Sequence, residues 1–196
     1  GSLGQLCVID LSSLRITYAE KQYIASELTF IYHVTPTGDE SHQIVTGNFD
    51  QNLSTYNLVN RQLRKVSSKC LYLDEVIEIK VFKPQNEYAL MCSNSETLKL
   101  LCFETGEVEM YTGHDDLILC LDISGQYCLS GAKDNTVRMW RYDLQAEFER
   151  KLACVSVFQG HSENVTSVYF APKRAGFFTS VGQDNTLKVW ETPKSI

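Results

Sequence analysis

The sequence predicts an all-β fold assembled from repeated four-stranded antiparallel sheets, and three observations carry that expectation. First, one pattern occurs twice almost residue for residue: Gly113-His114, then Ser130-Gly131-Ala132-Lys133-Asp134-Asn135-Thr136-Val137-Arg138-Met139-Trp140; and Gly160-His161, then Ser180-Val181-Gly182-Gln183-Asp184-Asn185-Thr186-Leu187-Lys188-Val189-Trp190. The Gly-His pairs lie 47 residues apart and the tryptophans 50 apart, with Ser, Asp and Trp at matching offsets. A period of this size is the mark of a repeat architecture. Second, short runs of alternating apolar residues are separated by Gly, Asp and Asn, the pattern of strands and tight turns. Third, no segment has a persuasive helical period.

The elements follow in order. Gln5–Asp10 reads as an isolated outer strand. Strands are expected at Leu28–Val34, His42–Gly47, Leu53–Asn57 and Gln62–Val66 in one sheet, and at Val76–Phe82, Tyr88–Cys92, Thr97–Phe103 and Val108–Tyr111 in the next. A third sheet takes Leu117–Asp122, Tyr127–Ser130, Val137–Tyr142 and Ala153–Phe158. Val165–Phe170, Gly176–Ser180 and Leu187–Glu191 give three strands of a fourth. The repeat frame extends backwards to a weaker copy, with Thr46, Asp50, Leu53 and Tyr56 in register. Between the copies, Met91–Leu101 keeps Thr97-Leu98-Lys99 but has Ser95 for the turn aspartate and Leu101 for the tryptophan. That sheet is expected to lack the polar network and to be held mainly by apolar packing.

Sheets of this kind stack radially in a β-propeller, which leaves each with three tight turns and a register to hold. In the strong repeats Asp and Asn supply turn geometry and local hydrogen bonds. His114, Ser130, Asp134 and Trp140 are therefore expected to form one buried polar network, and His161, Ser180, Asp184 and Trp190 its twin. Such a network tolerates burial because its donors and acceptors are paired. A catalytic Ser-His-Asp reading is disfavoured, since two identical sets at the same offsets do not describe one active site. Seven sheets of roughly 40 residues require about 280 residues, so 196 residues are expected to be a segment of a larger seven-bladed or tandem propeller.

Composition fits an ordered, β-rich intracellular protein: 43% apolar residues and 11% aromatics supply a core, and only 4 prolines interrupt it. The seven cysteines, at 7, 70, 92, 102, 120, 128 and 154, form no Cys-x-x-Cys pair and suggest reduced thiols. The four histidines have no cysteine at finger-like spacing, so no metal site and no cofactor are expected. No apolar run approaches membrane-spanning length. No phosphate-binding loop, carboxylate pair or metal cluster nominates an enzyme or a small-molecule substrate.

A net charge of −6 argues against wholesale wrapping of nucleic acid. Arg61, Arg64, Lys65 and Lys69 nevertheless cluster, and are candidates for an RNA or acidic-protein contact beside the plainer reading of a solvated outer strand. In the loop Leu144–Arg150, Phe148 is a candidate partner anchor or a residue packed on its own sheet. Pro36–Ser41 reads as an acidic hairpin turn.

The Gly-His…Trp repeats resemble the WD40-repeat family. The succession Leu71-Tyr72-Leu73-Asp74-Glu75-Val76, then Gly113-His114-Asp115-Asp116-Leu117-Ile118-Leu119-Cys120-Leu121-Asp122 and Ala132 to Trp140, is similar to the tandem-propeller members found in the nucleolar small-subunit processome. That resemblance implies a junction: residues 1–67 ending one propeller, 68–73 a linker, and 74–196 beginning a second. It further implies a noncatalytic nuclear and nucleolar scaffold, with other WD40 and assembly-factor proteins as partners and largely indirect association with U3 small nucleolar RNA and pre-rRNA in 18S maturation. The alternative is another intracellular WD40 adaptor, such as a ubiquitin-ligase substrate receptor or signalling scaffold.

Overall fold

The computed structural model describes residues 6–20, 28–34, 42–48, 52–60, 62–70, 75–82, 88–103, 105–143, 151–171 and 176–192, and all the regular structure there is β-strand. The strands are β1 (Leu6–Asp10), β2 (Arg15–Glu20), β3 (Leu28–Val34), β4 (His42–Asn48), β5 (Asn52–Val59), β6 (Gln62–Cys70), β7 (Val76–Val81), β8 (Tyr88–Ser93), β9 (Leu98–Cys102) and β10 (Val108–Tyr111). They continue as β11 (Ile118–Ser124), β12 (Tyr127–Ala132), β13 (Thr136–Tyr142), β14 (Leu152–Gln159), β15 (Val165–Phe170), β16 (Phe177–Gly182) and β17 (Leu187–Glu191). Each sheet takes its strands in sequence order: β3–β6, β7–β10 and β11–β14 are four-stranded, β15–β17 is three-stranded, and β1–β2 is a hairpin.

Two expectations are corrected. Gln5–Asp10 is not an isolated strand: β2 returns along β1, with Ile9 opposite Ile16 and Asp10 opposite Arg15. The strand expected at Gln62–Val66 runs on to Cys70, with Ser68, Lys69 and Cys70 paired to Ser54, Leu53 and Asn52. The sequence signal ended at Val66 because β6 departs from regular pairing there. Thr55 pairs with Ser67 and Tyr56 with Lys65, which leaves Val66 as an extra residue in a bulge.

The same bulge recurs in β14. Met139 pairs with Ser156 and Trp140 with Cys154, leaving Val155 over. A bulge twists an outer strand and spoils it as a template for further pairing. First strands repeat as well: β3, β11 and β15 each break register at their start, between Leu28 and Phe30, Ile118 and Cys120, and Val165 and Ser167. The backbone repeat is thus visible even in β3, where the sequence repeat is faint.

The chain divides into two compact units: Gly1–Val76 with Val81–Ala89 and Cys102–Glu107, and Ile77–Lys80 with Leu90–Leu101 and Val108–Ile196. In the first, Tyr56 and Leu63 are buried and Val8, Ile44 and Leu58 pack on them. In the second, Cys120, Leu129, Val137 and Met139 from the third sheet meet Val165, Val168 and Phe178 from the fourth. The Phe158 ring meets Phe178 edge-on at 4.8 Å and Trp190 at 5.6 Å, a favoured aromatic geometry.

First strands lie at sheet edges and need partners for backbone N–H groups. Within the second unit carboxylates supply them: Leu121 N–H donates to Glu78 Oε2 and Phe170 N–H to Asp122 Oδ2, both at 2.7 Å. Sheet-on-sheet contact is close enough to dictate a glycine. A Cβ at Gly131 would sit 2.6 Å from both Cys120 Sγ and Val165 Cγ1. At the matching position in the fourth sheet, Val181 is 39% exposed. Gly131→Ala is expected to destabilise the chain by about 1–3 kcal/mol through overpacking, while Val181→Ala stays within about 0.5 kcal/mol; paired thermal melts check both.

Candidate functional site

The loop between β10 and β11 carries His114, β12 carries Ser130, the β12–β13 turn carries Asp134, and β13 carries Trp140. These four converge. The Trp140 indole N–H donates to Ser130 Oγ at 2.8 Å, Ser130 Oγ lies 2.7 Å from His114 Nε2, and His114 Nδ1 lies 2.7 Å from Asp134 Oδ2. The fourth sheet repeats the geometry: Trp190 Nε1 to Ser180 Oγ at 2.8 Å, Ser180 Oγ to His161 Nε2 at 2.7 Å, and His161 Nδ1 to Asp184 Oδ2 at 2.8 Å.

The hydrogen-bond arithmetic fixes the histidine's state. Ser130 accepts from the indole, so its own O–H is free to donate, and it needs an acceptor. A neutral imidazole protonated on Nδ1 provides that acceptor at Nε2 and donates to the carboxylate. A charged ring would leave the serine proton without a partner. Consistently, burial pushes the His114 pKa below its ordinary value, although Asp134 pulls the other way.

Asp134 is the hub. Burial alone would raise its carboxyl, but hydrogen bonds from the Thr136 hydroxyl and N–H, from His114 and from the Asp115 N–H hold it below the usual carboxylate range. Asp184 is held low in the same way by Thr186, His161 and the Ser162 N–H, against its own desolvation. Thr136 and Thr186 were not among the residues singled out from the sequence. Their signal is the threonine two positions after each aspartate, whose hydroxyl reaches Oδ1 at 2.8 Å and 2.7 Å. Asn135 and Asn185 take the left-handed turn positions, with φ of 65° and 58°. The Gly of Gly113-His114 is set by crowding, since a Cβ there would meet the Trp140 ring at 2.7 Å.

Geometry also disposes of acyl-transfer chemistry at these sets. Ser130 and Ser180 are buried to 1% exposure or less, and each hydroxyl is enclosed between an indole and an imidazole. Neither hydroxyl is open to solvent.

The degenerate sheet β7–β10 is packed as expected. Apolar packing is present, with Leu90, Met91, Cys92, Leu98, Leu100 and Leu101 almost fully buried. It is joined by a polar network of its own. Lys99, 3% exposed, donates from Nζ to Ser93 Oγ and, at 3.2 Å, to Ser95 Oγ; Ser95 and Thr97 hydroxyls lie 3.1 Å apart. Ser95 and Thr97 occupy the Asp134 and Thr136 positions, and the Lys99 amine donates to the Ser95 hydroxyl there. Serine and lysine carry no motif that would announce this.

The basic cluster is dispersed. Arg64 pairs with Asn57 and Lys65 with Tyr56, so the two leave β6 on opposite faces, both exposed. Lys69 donates from Nζ to the Phe103 carbonyl at 3.2 Å, its stem lying over Gly106. Arg61 and Phe148 lie outside the described residues, as do the loops 36–41 and 144–150. Among the described residues, no three His, Cys, Asp or Glu side chains assemble into a metal site, and no helix is long and apolar enough to cross a membrane.

Residues 106–141 and 152–191 match the WD40 family, described as WD domain, G-beta repeat. The chain is 30% identical over its whole length to human transducin beta-like protein 3 and 28% identical to the bovine protein, in each case spanning 24% of the relative. It is 34% identical to U3 small nucleolar RNA-associated protein 13 of Saccharomyces cerevisiae over 94 residues, 45% of this chain and 11% of that protein. The chain therefore spans about a quarter of the length of the first relatives it matches.

Removing the central hydroxyl tests the two networks. Ser130→Ala strands both the indole N–H and His114 Nε2, and should cost about 1–3 kcal/mol; a double-mutant cycle with Trp140→Phe should show coupling of about 0.5–3 kcal/mol. The pH dependence has a definite sign. The folded His114 pKa is depressed, so its contribution is complete above the ordinary value of 6.5 and is lost as pH falls below it. Asp134 and Asp184, also depressed, add a further loss below their ordinary 3.8. Melting temperature should decline from pH 7 to pH 5 and fall further below pH 4, as a melt series would reveal.

Proposed function

We propose that this chain is part of a noncatalytic WD40 scaffold that assembles proteins on a U3 small nucleolar ribonucleoprotein in the nucleolus during 18S rRNA maturation. The observation that carries the reading is similarity along the entire chain to transducin beta-like protein 3, joined by local similarity to the yeast U3-associated protein. Four-stranded sheets with rigid internal networks and variable connecting loops suit such a role, because the frame is stable while the loops select partners. In this reading the sheets are propeller blades, residues 1–67 end one propeller, 68–73 link, and residues 74–196 begin another. Partners are other WD40 and assembly-factor proteins, and RNA is held largely through them. No cofactor or small-molecule substrate enters.

The alternative is another WD40 adaptor, favoured by 22% identity over 97% of the chain to nuclear distribution protein PAC1 of Candida glabrata. Affinity purification of the full-length protein, with and without nuclease, separates the two. Recovery of U3 RNA and nucleolar assembly factors, with the proteins persisting after nuclease, is the expected outcome; ligase or signalling subunits without U3 would reverse the reading. Arg64 and Lys65 are exposed on opposite faces of the edge strand β6, so either can supply an electrostatic contact in that assembly. Their joint replacement by glutamate should leave the melting temperature unchanged and weaken one co-purifying partner, more at low salt than at high salt. A variant that retains every partner at wild-type levels would remove these residues from the interface.

A further inference from the structure

We propose that Ser95 is a phosphorylation site, and that its phosphate ester gives the second sheet the anionic hub that Asp134 and Asp184 provide in the strong repeats. Ser95 stands at their position in the β8–β9 turn, and Thr97 stands where Thr136 and Thr186 donate to the carboxylate. The receiving groups are already in place. The Thr97 hydroxyl lies 3.1 Å from Ser95 Oγ and the Ser93 hydroxyl 3.2 Å, while the Lys99 ammonium donates to it at 3.2 Å.

Lys99 supplies an independent argument. It follows the hub position by four residues, as Arg138 and Lys188 do. In the fourth sheet that cation stays partly exposed, with Lys188 Nζ 4.0 Å from Asp184 Oδ2. In the second sheet it is buried and turned onto a hub residue that is itself neutral. Burial of an ammonium costs less the more negative the groups it donates to. A phosphoserine carries about −1.5 to −2 charges at neutral pH and three strong acceptor oxygens. Beside Lys99 and Thr97 it gains charge-assisted hydrogen bonds, its oxygens standing one bond farther from the backbone than those of an aspartate.

Access singles out Ser95 within the cluster. Ser93 is fully buried, whereas Ser95 is half-buried in a turn between exposed Asn94 and Glu96. Local opening of that turn presents the hydroxyl to a protein kinase. The γ-phosphoryl group of a nucleoside triphosphate then moves to Ser95 Oγ: the bond from the γ-phosphorus to its bridging oxygen breaks, an Oγ–P bond forms, the hydroxyl proton passes to the kinase's base, and the nucleoside diphosphate leaves. The consequence extends to the next sheet, because the Ser95 carbonyl accepts the N–H of Ile118, the first residue of β11, at 3.2 Å. Fastening the turn fastens that junction, whichever partners the scaffold takes.

The test uses the full-length protein isolated from its own cells with phosphatase inhibitors present. Phosphopeptide mass spectrometry should place a phosphate on Ser95; its absence there, or a phosphate on Thr97 instead, would overturn the proposal. Hydrogen exchange then separates a hub from a bystander. Exchange over residues 93–98 and at Ile118 should be about tenfold slower in the phosphorylated protein than in unmodified protein from a bacterial host, the scale of one hydrogen bond to a charged group. Lys99→Gln, which keeps a donor and removes the charge, should lose most of that gain. Ser95→Asp, which needs no kinase and leaves Lys99 intact, should reproduce part of it. Equal or faster exchange on phosphorylation, an undiminished gain in phosphorylated Lys99→Gln, or no slowing in Ser95→Asp would each refute the anionic-hub role.

Discussion

The relay from tryptophan through serine and histidine to aspartate is the constraint on which the strong repeats depend. It joins four pieces of one repeat: the loop entering a sheet, the second strand, the turn after it, and the third strand. Each polar atom in it is buried and each has a partner, so removing one member leaves others unsatisfied in a low-dielectric interior. That asymmetry makes the network a register lock. A slip of β12 against β13 by one residue would move Ser130 away from the indole and turn every side chain to the wrong face.

From the lock the rest of the second unit follows. With Trp140 and Trp190 fixed, the apolar faces of neighbouring sheets meet through Val137, Met139, Val165 and Phe178. Glu78 and Asp122 then close the open edges of the following first strands. The degenerate sheet reaches a similar end by other means, with a buried lysine among serine and threonine hydroxyls in place of an imidazole and a carboxylate. Two chemistries thus serve one four-stranded frame.

Most strands were legible in the sequence because alternation and turn residues report local structure directly; Leu28–Val34, Val108–Tyr111, Val165–Phe170 and Leu187–Glu191 coincide with their expected limits. The two polar sets were legible because the repeat displays them twice at the same offsets. What escaped detection was not local. β6 continues beyond Val66 because a bulge absorbs one residue, and a bulge has no composition. β2 escaped because its turn, Leu11-Ser12-Ser13-Leu14, lacks the glycine or asparagine that usually betrays a left-handed turn position. The dispersal of Arg64, Lys65 and Lys69 depends on strand pairing, which a run of basic letters does not encode.

The central claim is that His114 is a neutral, Nδ1-protonated acceptor inside a closed network, and the most direct measurement is the tautomer and titration of its imidazole by nitrogen-15 NMR. The account predicts a protonated Nδ1, an unprotonated Nε2 and a pKa below the ordinary 6.5. An Nε2-protonated ring, or one titrating at or above the ordinary value, would contradict it.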